Sequence, residues 1–185
     1  MKKRILFFLA AALVSLYSCK PNPYNEEVKE LDQLIKQVEK SSTKLVQIDT
    51  TGLAKKWQDY KENVNTITGT YKESGDTIGR ELAMILSEYK ELKKPYSEFK
   101  DAYAQALEEL KFTKNQLVTL KHDLENNILE PPVAEKMLRS EKMAATKIIE
   151  HVEQLERTDS VTQVKAGEIN ATIDSVITSL SSSPR

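Results

Sequence analysis

The sequence predicts an all-α fold, an elongated antiparallel bundle of three long arms running up, down and up. Three observations carry this. Apolar residues recur at alternating spacings of three and four along almost the whole chain, the period of an amphipathic helix, and no segment competes with the alternation of a strand. Charged residues make up 30% and apolar residues 39% of the 185, with five glycines and six prolines, which excludes collagen-like, low-complexity and multi-spanning membrane chains. The turn signals are few, and they cut the chain into arms of nearly equal length.

The first arm, residues 25–73, opens with the series Val28, Leu31, Ile35, Val38 and Leu45, widened by Leu34 and Val46. After a break expected at Asp49–Gly52 the series continues as Leu53, Trp57, Tyr60, Val64, Ile67 and Tyr71. The run Glu73, Ser74, Gly75, Asp76 marks a reversal, with Gly75 free to take the left-handed conformation and Asp76 placed to cap the next helix. The second arm, residues 76–130, carries Ile78, Leu82, Ile85, Tyr89, Leu92, Tyr96, Phe99, Tyr103, Ala106, Leu110, Leu117, Leu120 and Leu124. Pro95 lies inside it, and because Leu92, Tyr96 and Phe99 keep phase across the proline, the arm is expected to kink there rather than stop.

Pro131 and Pro132 mark the second reversal, since Pro132 lacks an amide proton and suits the first turn of a new helix. The third arm, residues 132–182, reads Val133, Met137, Leu138, Ala145, Ile148, Val152 and Leu155, then Val161, Ala166, Ile169, Ile173, Val176 and Leu180. A polar interruption is expected at Thr158–Ser160. From Thr158 to Ser183 only Asp159, Lys165, Glu168 and Asp174 are charged, and intrinsic helix propensity falls. Each arm of about 50 residues would be roughly 75 Å long. Counted from the Gly75 end, the irregularities near 49–52, 95 and 158–160 are expected at one height, as a bend shared by the three arms.

The N-terminus reads differently. Lys2, Lys3 and Arg4 precede ten uninterrupted apolar residues, Ile5 to Val14. A membrane-crossing helix needs roughly 20, so this is the layout of an export signal rather than an anchor. The run Leu16, Tyr17, Ser18, Cys19 that follows resembles the lipobox of bacterial lipoproteins and is similar to the looser lipoboxes of Bacteroidota. The resemblance implies cleavage between Ser18 and Cys19, a diacylglycerol on the Cys19 thiol and a further acyl chain on the new amino group. Several chains matter, because a single one gives marginal, reversible membrane binding. The domain plan is therefore a cleaved signal peptide at 1–18, a lipidated tether at 19–25, a helical bundle at 26–182 and a frayed tail at 183–185. Lys20, not an aspartate or an acidic run, follows the cysteine, and the resemblance to bacterial lipoproteins then implies the outer membrane, periplasmic side.

Cys19 is the one cysteine, so an internal disulfide is excluded. Cleavage leaves 167 residues with 24 basic and 28 acidic side chains, a balance that gives no footprint for nucleic acid. Zinc sites of the Cys/His type are excluded by count, and no phosphate-binding glycine loop or nucleophile elbow occurs. His122 and His151 have no histidine partner at helical spacing and follow Thr119 and Ile148 by three residues, not a glutamate, so a di-iron bundle is not encoded. No catalytic residue, cofactor or metal ligand is assigned, and an enzyme is not expected.

The candidate site is aromatic. Trp57, Tyr60 and Tyr89 lie at matching distances on either side of the Gly75 turn, and Tyr96, Phe99 and Tyr103 continue the stripe toward Pro95 and beyond. Such a stripe serves as core or as a groove, because tyrosine and tryptophan combine apolar area with a polar handle. The function expected is a membrane-anchored envelope lipoprotein acting as a helical protein-binding, spacer or scaffold module. The alternative is a ligand-binding or carrier lipoprotein using a groove around Trp57, Tyr89 and Tyr96.

Overall fold

The computed structural model describes residues 22–182, which form five helices and no strand. The signal segment, Cys19 and the tail at 183–185 lie outside the described residues. Helix α1 spans Asn25–Val46 and α2 Thr50–Ser74; together they are the first arm. Helices α3, Arg80–Lys90, and α4, Lys93–Glu125, are the second. The third is one helix, α5, Pro131–Ser182. At 1.5 Å per residue α5 is about 78 Å long, and every other helix packs against some part of it.

Interhelical ion pairs fix the directions. Lys114 meets Glu39 at 2.7 Å and Lys121 meets Asp32 at 2.7 Å, so α1 and α4 are antiparallel. Lys44 pairs with Glu156 and Lys142 with Glu30, each separated by 112 residues, so α1 and α5 are parallel. This is the up-down-up arrangement. Exposed pairs of this kind contribute about 0–1 kcal/mol each; the stability lies in the stripe beneath them, where Leu31, Val38, Leu45, Leu117, Leu120, Val152 and Ile173 are fully buried at about 1.5–3 kcal/mol apiece.

The first break falls at 47–49, just before the expected 49–52. Asp49 is the cap of α2, its carboxylate accepting from the Gly52 amide at 2.8 Å, so Gly52 already belongs to the helix. A Cβ on Gly52 would collide with that carboxylate. Gly75, at φ 75°, ends α2 in the left-handed conformation as expected. Asp76 does not cap the next helix, which starts at Arg80 after Gly79. Residues 76–79 cross the end of the bundle without helix, and Ile78 is seated on the core by that crossing.

The second break lies at Glu91 and Leu92 rather than at Pro95. Both residues keep helical dihedrals, but their amides bond three residues back, to the carbonyls of Glu88 and Tyr89, each at 3.1 Å. The reason is the reach of the proline ring, which displaces the carbonyl four residues earlier, here Glu91. Pro95 itself sits in the first turn of α4, where a missing amide proton costs nothing.

The third break does not occur. α5 runs unbroken through Thr158–Ser160, because the buried positions Leu155, Thr162, Ala166 and Ile173 hold one phase across the polar residues. Thr162 takes the place on the stripe that the sequence reading gave to Val161, which is exposed, as are Val46 and Val133. With the third break absent, the expected shared bend is replaced by two staggered ones. The 91–92 kink lies beside Tyr60, whereas the 47–49 break precedes the α2 residues that face Tyr103 and Ala104 of α4.

Candidate functional site

The six aromatic residues do come together, in two groups. Tyr60 is the centre of the first. Its ring stacks on Trp57, one turn earlier on α2, with centroids 5.5 Å apart and planes 16° from parallel. Across the bundle it meets Tyr89 of α3 at 5.0 Å and, edge on, Tyr96 of α4 at 6.3 Å. The four rings therefore meet where α2 faces the two helices that flank the 91–92 kink. Phe99 and Tyr103 form the second group, centroids 6.2 Å apart on successive turns of α4.

Burial separates their roles. Tyr60, Tyr89, Tyr96 and Phe99 are core residues, whereas Trp57 and Tyr103 are half-buried. Burial pushes the phenols of Tyr60 and Tyr89 up from their ordinary value, with an Asn63 hydrogen bond at 3.1 Å acting against the rise at Tyr89. Tyr96 is pushed up to about 12, first by burial and then by the charges of Tyr89, Asp159 and Asp59. These hydroxyls stay protonated at neutral pH and act as hydrogen-bonding groups rather than bases.

Trp57, Tyr96, Phe99 and Tyr103 line an open depression of about 510 Å³ between α2 and α4, with Leu53, Ala54 and Ala104 in its walls. The Lys61 ammonium stands 5.3 Å from the centre of the Trp57 ring, a cation–π arrangement worth roughly 0.5–1 kcal/mol in the open. Tyr89 is not part of this depression. It faces a separate polar cleft of about 230 Å³, with Lys56, Asp59, Asn63, Asn170 and Asp174. The groove proposed around Trp57, Tyr89 and Tyr96 is thus two openings, with Trp57 on one, Tyr89 on the other and Tyr96 in the walls of both.

Sequence reasoning missed the second half of the surface. A further depression of about 530 Å³ lies between α1 and α4, lined by Val38, Ser42, Thr43, Leu107, Leu110 and Lys111 among others. Both depressions share α4 as one wall and successive parts of the first arm as the other, so they lie end to end. Leu107, in the wall of the second depression, and Val46, at the end of α1, are both exposed. The signal was present in Val46, whose place at the edge of the α1 stripe is apolar but not inward.

His122 is exposed and its ring nitrogen lies 3.2 Å from the Asn126 amide; His151 is half-buried on α5. Among the described residues no three His, Cys, Asp or Glu side chains are grouped to hold a metal ion, and no helix is long and apolar enough to cross a membrane. No known protein family, curated protein or solved structure matches the chain.

Proposed function

We propose that the chain is a lipid-anchored protein of the bacterial cell envelope, held through Cys19 on the periplasmic side of the outer membrane, and that its bundle seats a helix of a protein partner. The observation that supports this most is the seam between the first and second arms. Two open depressions, about 530 and 510 Å³, follow one another from Val38 to Trp57. The α4 wall common to both, from Tyr96 to Lys114, covers about 28 Å, far longer than a small ligand needs and matched to about five turns of a docked helix. Such a helix would repeat apolar side chains at i, i+3, i+4 and i+7 over several turns, along a face that includes Ser42, Leu107, Ala104 and Trp57.

The test is site-specific photocrosslinking in intact cells. A photoreactive residue in place of Ala104, inside the seam, is compared with one in place of Met143, exposed on α5. The reading predicts one dominant adduct from position 104 alone, whose attached peptide has the apolar spacing of an amphipathic helix. Equal adducts from both positions, or none from 104, would count against it.

A further inference from the structure

The end of the bundle that carries the chain's N-terminal exit is closed in an unusual way. Asn22 donates through its side-chain amide to the carbonyls of Leu124 and Glu125, at 3.0 and 3.2 Å, in the last turn of α4. Its side-chain oxygen accepts from the Tyr24 amide at 2.8 Å, and the Tyr24 hydroxyl donates to the Leu129 carbonyl at 3.0 Å. The segment expected to be free tether is therefore bound to the bundle from Asn22 onward. It is fastened beside the turn between α4 and α5.

That turn is a Schellman motif. Asn127 takes the left-handed conformation at φ 52°, the Ile128 amide bonds to the Asp123 carbonyl at 2.9 Å, and the Asn127 amide bonds to the Leu124 carbonyl. In this motif the residue at the Ile128 position commonly folds back onto an apolar partner in the helix. Here the equivalent position in the helix is Asp123, and Ile128 is left 60% exposed, with Val133 46% exposed and Pro131 and Pro132 open beside it. An apolar tip stands on the end of the bundle that carries Asn22.

Only Lys20 and Pro21 separate Cys19 from Asn22, three chain steps that span at most about 11 Å when extended. We infer that the α4–α5 turn rests on the membrane itself, with Ile128 and Val133 inserted among the headgroups of zwitterionic phospholipid. This rests on the lipidation of Cys19: with acyl chains in the bilayer and Asn22 bound to the bundle, the turn is held within about 11 Å of the surface. Charge sets the lipid class: Glu26 and Glu125 are ion-paired with Lys29 and Lys121, and Glu27 and Glu130 at the same end repel anionic headgroups. The bundle is thereby held upright on its tip instead of swinging on a free tether.

The experiment uses the full-length lipidated protein in phosphatidylcholine vesicles. Ile128→Cys, and separately Met84→Cys at the far half of the bundle, are labelled with an environment-sensitive fluorophore, the Cys19 thiol being blocked by its own lipid. Both positions are exposed, so helicity should match the parent, which circular dichroism checks. The expected result is a blue shift and strong quenching by lipid-borne nitroxide at 128 and neither at 84. Palmitate incorporated at Cys19, with the 128 label as wet and unquenched as the 84 label, would overturn the contact and leave the anchoring intact. Absence of palmitate from the vesicle-bound protein would overturn the anchoring, and the contact with it.

Discussion

Tyr60 and Tyr89 lie with ring centroids 5.0 Å apart and planes tilted by 39°, joining α2 to α3 across the Gly75 turn. Both are almost fully buried, at 5% and 2% exposure. The pair is a structural clasp, and the neighbouring Trp57, stacked on the outer side of Tyr60, is the part of the same cluster that reaches the surface. The two kinds of residue should separate cleanly on mutation.

Tyr60→Ala removes a buried ring with three aromatic neighbours and should destabilise the protein by about 3–5 kcal/mol, the range for deleting a large core side chain. Trp57→Ala should cost roughly 1–2 kcal/mol, because the ring is half-buried and only its stacked face is lost. Urea unfolding followed by circular dichroism measures both. Equal losses would mean that Trp57 is core and does not serve the seam.

The buried phenols predict an alkaline limit. Tyr96 ionises near 12 in the folded protein and near 10 when unfolded. Its folded value is the raised one, so its contribution is fully present below pH 10 and is lost as pH rises toward 12. Tyr60 and Tyr89 shift in the same direction and add to the loss. Stability measured from pH 8 to 12 should be flat below about 10 and then fall, and Tyr96→Phe should make the fall shallower.

Asp159 sits between Leu155 and Thr162 on the inward side of α5. One carboxylate oxygen accepts from Gln163 at 2.8 Å, while the other is buried without a hydrogen-bond partner among the described residues. An unsatisfied buried polar atom costs about 1–3 kcal/mol. Asp159→Ala should therefore raise stability by about 1 kcal/mol, by removing that atom and improving helix propensity. A lower thermal midpoint for the variant would show that the carboxylate has a partner in solution.

Gly75→Ala tests the reversal between the first two arms. A Cβ there meets nothing within 4 Å, so the whole cost is the left-handed backbone at φ 75°. The expected destabilisation is about 1–2 kcal/mol. Gly69→Ala, in the interior of α2 with equally open space, should instead stabilise by about 0.5–1 kcal/mol.

The all-α class, the three arms and their directions were legible because the apolar period of α1, α4 and α5 is sustained over many turns and Gly75 and Pro131 are unambiguous signals. The breaks were harder for physical reasons. Pro95 acts one turn upstream of itself, at Glu91, and Thr158–Ser160 is polar in composition yet keeps the inward phase through Thr162. Trp57, Tyr60 and Tyr89 were placed together correctly from their distances to Gly75. That Trp57 and Tyr89 would face separate openings, and that the open surface would run from Trp57 toward Val38, depended on how α1 and α2 lie against α4, which no single stripe encodes.

Every part of the functional account depends on Cys19. The decisive measurement is metabolic labelling with a palmitate analogue in the bacterial host, comparing the native chain with Cys19→Ser by gel mobility and membrane flotation. The account predicts a labelled, processed, membrane-bound native protein and an unlabelled, unprocessed Cys19→Ser precursor. Unchanged mobility, labelling and membrane partitioning of the variant would contradict it.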